Sequence, residues 1–184
     1  MQPRAFLRPL PDLVRPLLPH DVRDFRTRAG FALIKLVYGN RDLHYEAWHR
    51  GKQRTIEVGL HFEGDELTNA RLLGAFRTHE RRVRRALPDA RLEDWDRGWT
   101  RIWQPVPYQT LDAALHERLA AVLARYIATL EPILRDELPA EVPWALTRTR
   151  SSGRPRRARD VPGATAPRAS APRARGRAPS ARSP

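Results

Sequence analysis

The 184-residue chain contains no cysteine. That excludes a disulfide framework, a thiolate metal site and a cysteine nucleophile. Its serines all lie between Ser151 and Ser183, so no serine nucleophile or Gly-x-Ser-x-Gly elbow is available before that point. Only two lysines are present, Lys35 and Lys52; arginine supplies nearly all the positive charge. With so much Ala and Pro, this is the usage of a G+C-rich genome, and any single arginine carries little functional weight. No apolar run reaches the ~18–20 residues needed to span a bilayer. The first twenty residues are too broken by proline for a secretory signal helix. The expectation is a cytoplasmic protein with no membrane partner. The scattered glycines form no phosphate loop, and no HExxH or zinc-finger spacing occurs.

What is present centres on Phe31 to Phe62, FALIKLVYGNRDLHYEAWHRGKQRTIEVGLHF. Three runs rich in β-branched and aromatic residues, Ala32–Tyr38, Leu43–Arg50 and Thr55–Glu63, are separated by Gly-Asn and Gly-Lys pairs. The pattern predicts a β-meander. In the third run Ile56, Val58, Leu60 and Phe62 alternate with Glu57, Gly59, His61 and Glu63, so one face is apolar and the other polar. Turns at 39–42 and 50–53 place Glu46 opposite Lys35 on one side and opposite Glu57 on the other. His44 and His61 share that face.

The remaining elements follow from periodicity and punctuation. Residues 1–20 hold five prolines and are expected to be extended. A short helix is expected over 21–28, stopped by Gly30. A helix is expected over 66–87, capped by Asp65 and ended before Pro88. Its arginines, Arg77, Arg81, Arg84 and Arg85, read as a solvated face or a phosphate-holding stripe. Residues 91–106 predict a hairpin turning at Asp96-Arg97-Gly98. Its tryptophans and arginines can stack nucleic-acid bases or simply pair across strands on a core. An amphipathic helix is expected over 111–138, capped by Thr110, with a kink or break near Leu130-Glu131 before Pro132.

From Ser151 onward the chain is Arg, Ala, Pro, Ser and Gly, with no aromatic residue. That composition predicts a disordered basic tail. It carries nine Arg and one Asp, so +8 of the net +13 lies there. Arg154, Arg156, Arg157, Arg159, Arg173, Arg175 and Arg177 are the candidate contacts to nucleic acid or another acidic partner.

The segments LIKLVYGNRDLHYEAW, TIEVGLHFEGDELTNARLL and EDWDRGWTRIW, followed by a long helix, resemble a family of small uncharacterised bacterial proteins from G+C-rich genomes. The resemblance covers about residues 31–137. It implies the order strand, strand, strand, helix, hairpin, helix, and it brings no activity and no catalytic residues.

The sequence thus predicts an α+β fold. A proline-rich segment (1–20) precedes a domain (21–140) with a mostly antiparallel sheet of about five strands and two main helices on one face. A basic tail (141–184) follows. Two functions fit. One is a non-enzymatic binding or regulatory module, monomer or homodimer, that needs no cofactor and associates with nucleic acid through the tail. The other is a metal-dependent, nuclease-like hydrolase. Its candidates are Glu46, Glu57, His61 and Lys35 on the polar face, because carboxylates beside imidazoles suit a divalent ion that activates water.

Overall fold

The structure, a computed structural model, describes residues 2–138. The predicted tail and its seven candidate arginines lie outside the described residues. The expected α+β class holds: a six-stranded antiparallel sheet carries helices on one face.

The strands are β1 (Arg26–Ala29), β2 (Leu33–Val37), β3 (Leu43–Arg50), β4 (Thr55–Phe62), β5 (Arg91–Asp94) and β6 (Thr100–Pro107), in the order β1-β2-β3-β4-β6-β5. The meander forms where expected. The extra strand, β1, replaces the helix expected over 21–28, where a 3-10 turn at His20–Val22 is the helical structure that forms. Every β1 side chain is exposed, so it has no apolar alternation to reveal it.

The proline-rich start is helical rather than extended. Two short helices, α1 (Pro3–Leu7) and α2 (Leu10–Val14), place proline in their first turns. There the missing N–H costs nothing, because those donors have no helical acceptor in any case. Phe6, Leu7, Leu10 and Val14 are buried, and α2 packs on the long helix. The His116 ring stacks on Phe6 at 3.9 Å.

The helix expected over 66–87 is two helices, α3 (Glu66–Thr78) and α4 (Glu80–Ala86), broken at His79 (φ −95°, ψ 9°). Asp65 caps α3 as expected, accepting from Thr68 N. The last helix, α5 (Ala113–Glu137), runs through Pro132 without a break. Its cap is Asp112, which accepts from Leu115 N; the Thr110 hydroxyl donates to Asp112 instead of capping.

The apolar faces of β2, β3, β4 and β6 meet α5, α3 and the N-terminal helices in one core. Ile56, Val58, Leu60 and Phe62 are fully enclosed. Each such side chain contributes about 1.5–3 kcal/mol of burial. Among the described residues, no helix is long and apolar enough to cross a membrane.

Candidate metal centre

The second face of the sheet carries the polar alternates. Period two in β3 and β4 sends His44, Glu46 and Trp48, then Glu57, Gly59 and His61, to this side. Lys35 pairs with Glu46 across β2 and β3, as expected. Glu46 does not pair with Glu57. Its partner in β4 is Gly59, and Glu57 stands opposite Trp48. Arg50 pairs with Thr55, so the turn occupies 51–54 and the register slides by two residues. An even slide leaves every side chain on its predicted face. It also sets His44 directly opposite His61, with stacked rings 5.8 Å apart.

Gly59 lets the strands come together at this point. A Cβ there would lie 2.5 Å from the Ile102 carbonyl oxygen and 2.6 Å from Trp103 Cβ. Glycine is required for so close an approach.

Two ionic groups share this face. In the first, Glu57 is claimed by Arg101, whose Nη1 donates to Glu57 Oε1 at 2.5 Å. The same guanidinium donates to Glu93 Oε1 at 2.6 Å, and Trp103 Nε1 donates there too. Arg101 also lies over Trp103 (4.1 Å) and against Trp95 (4.8 Å). The tryptophan–arginine alternation of the hairpin therefore builds a packed, ion-paired wall. Burial pushes the Glu57 carboxyl up despite Arg101.

The second group is less complete. Lys35 Nζ donates to Glu63 Oε2 (2.9 Å) and lies 3.4 Å from Glu46 Oε2. His44 Nε2 lies 3.6 Å from Glu46 Oε2 and 3.7 Å from Glu63 Oε1. Its other nitrogen, Nδ1, is 2.9 Å from the Arg41 carbonyl, an acceptor only. Nδ1 therefore carries a proton, and Nε2 faces the cluster. His44 Nε2 and both nitrogens of His61 are buried without a hydrogen-bond partner. Burial lowers the His61 pKa to about 3, against the pull of Glu46, so its imidazole is neutral. Burial also opposes ionisation of Glu46. The hydrogen-bonding pull of His44 and the charge of Lys35 outweigh it and hold that carboxyl below its ordinary value.

His44, His61 and Glu63 each offer one donor atom, and these atoms all lie within 4.8 Å of one another. Two donors on one tetrahedral ion at about 2.1 Å stand about 3.4 Å apart. The 3.7 Å between His44 and Glu63 is close to that separation.

Of the four residues singled out from the sequence, Glu46, His61 and Lys35 meet here. Glu57 stands behind His61, 3.6 Å from its Nε2, and belongs to Arg101. Sequence reasoning missed Glu93 and Arg101 as members of the face. The available signal was the hairpin, whose pairing puts Arg101 beside His61 and opposite Glu93.

No family model, curated protein or solved structure matches the chain.

Proposed function

We propose that the polar face of the sheet is the divalent-metal centre of a hydrolase that cleaves phosphodiester or related ester bonds. The carrying observation is the pair of buried imidazoles, His44 and His61, with unpartnered nitrogens beside the Glu63 carboxylate. A buried polar atom without a partner costs about 1–3 kcal/mol. A cation that the lone pairs ligate removes that penalty.

His44, His61 and Glu63 make a three-ligand set, the kind that leaves a coordination position open. The ion would supply Lewis acidity and an acidified water. The chain's own groups do the rest. The Arg41 carbonyl fixes the His44 tautomer, and Lys35 orients Glu63 by holding its second oxygen. Glu57, fixed by Arg101, stands 3.6 Å behind His61 Nε2. Glu46, ionised and 3.6 Å from His44 Nε2, accepts the proton of the attacking water. Water oxygen bonds to phosphorus, one ester P–O bond breaks, and the leaving oxygen takes a proton from solvent at the more open Lys35 side.

The test is hydrolysis of bis(4-nitrophenyl) phosphate by the full chain with Mn²⁺ or Zn²⁺. Activity should require the ion. His44→Ala should abolish both activity and metal uptake, whereas Glu46→Gln should abolish activity and keep metal uptake. Metal uptake with no hydrolysis of phosphodiesters or carboxylic esters contradicts the hydrolase reading.

A further inference from the structure

Beside the centre lies β1, the edge strand of the sheet. Arg28 stands directly opposite Lys35, and Arg26 opposite Val37, which is itself opposite His44. Both arginines therefore share the polar face. Both are exposed, and neither has an ion-pair or hydrogen-bond partner among the described residues. Two cations opposite each other in a sheet repel, and Lys35 is already directed inward to Glu46 and Glu63. Arg26 and Arg28 thus present charge that none of the described residues pairs with. Neighbouring strands lie about 4.8 Å apart, so Arg26 sits about 10 Å from His44 along its row.

On the other side of the centre the face is aromatic. Trp48 lies two residues beyond Glu46, partly buried, with Arg50 over its ring at 4.1 Å and Trp95 against its edge. Exposed cations lie on one flank of the hydrolytic group, and a ring capped by a flat guanidinium on the other.

We propose that the substrate is a single-stranded nucleic acid, its phosphates held by Arg26 and Arg28 and its bases stacked at Trp48. This rests on the hydrolase reading above. Phosphate contacts position a chain without reading its sequence, and aromatic platforms accept any base but need it unpaired. The surface therefore selects a flexible strand of no particular sequence.

The test measures binding of a short single-stranded oligonucleotide to the full chain across a salt series with Mn²⁺ present. Metal uptake is followed in parallel by thermal shift. The substitution Arg26→Ala with Arg28→Ala should flatten the slope of log K against log salt by about 1.4, the loss of two single-strand phosphate contacts. Arg26→Lys with Arg28→Lys should keep the slope, because neutralising phosphate needs charge alone. In the unaltered protein an abasic strand of equal length should bind about tenfold more weakly, since each lost stack is worth a factor of that order. Residues 151–184 have no aromatic side chain to make that distinction. An unchanged slope in the alanine variant, or equal binding of the abasic strand, overturns the proposal even if metal still binds. A chain that takes up no metal overturns the hydrolase reading, and this substrate assignment with it.

Discussion

The two faces of one sheet treat buried charge in opposite ways. On the apolar face the buried carboxylate is Glu131 of α5, fully enclosed. Its Oε2 accepts from the Tyr45 hydroxyl at 3.1 Å, and its Oε1 lies 3.5 Å from Arg135 Nε, one turn along the helix. Burial raises its pKa to about 7. On the polar face the imidazoles of His44 and His61 are as deeply buried and keep unpartnered nitrogens. Both sides keep buried polar atoms without a hydrogen-bond partner, Glu131 Oε1 and the Tyr126 hydroxyl in the core and three imidazole nitrogens on the polar face. The imidazoles of His44 and His61 converge with the Glu63 carboxylate into one cluster, and such a cluster is shaped for something brought from outside.

The contrast can be broken at two strengths. The largest effect belongs to Arg101→Ala. It leaves Glu57 buried 3.6 Å from His61 without its paired guanidinium and removes that group from beside Trp95 and Trp103. Loss of one partner of a buried ion pair costs about 3–5 kcal/mol, read as a lower urea midpoint at unchanged slope. A loss under about 1 kcal/mol would mean that Arg101 is a surface pair and the wall is not rigid.

A smaller effect separates the faces by pH. Glu131 has a folded pKa raised above its ordinary value of 4.5, to about 7. For a carboxyl shifted upward, stability is full at low pH and declines as pH rises from about 4.5 through 7, because the unfolded chain loses its proton first. His61 has the opposite slope. Its folded pKa is lowered from 6.5 to about 3, so its contribution is full above 6.5 and declines as pH falls toward 3. Urea midpoints of the metal-free protein should therefore be highest near pH 5–6. Glu131→Gln should flatten the alkaline limb and leave the acid limb intact. Loss of both limbs, or of neither, contradicts the assignment.

Much of the sheet is legible in the sequence, and its failures share a cause. The faces of β3 and β4 follow from alternation alone, so Lys35, His44, Glu46, His61 and Glu63 fall on one side without knowledge of the fold. The alternation leaves the register between β3 and β4 two residues off, because register depends on the turn. There Arg54 takes a left-handed backbone (φ 51°) that a glycine would have announced and an arginine does not. The break at His79 likewise has no Gly or Pro to mark it. β1 is exposed on every residue and leaves no hydrophobic trace. Within the site, the claim of Arg101 on Glu57 is a contact between residues 44 positions apart, set by the pairing of β4 with β6. Local pattern supplies the members of a face. Partnership across strands decides which of them remain available.

The most direct measurement is the thermal midpoint of the full chain with and without Zn²⁺ or Mn²⁺, for the unaltered protein and for His44→Ala. An ion at a hundred times its dissociation constant stabilises the folded state by about 2.7 kcal/mol, a rise of several degrees for a domain of this size. The account predicts that rise in the unaltered protein and its absence in His44→Ala. No rise in the unaltered protein, or an equal rise in both, contradicts a metal centre at His44, His61 and Glu63.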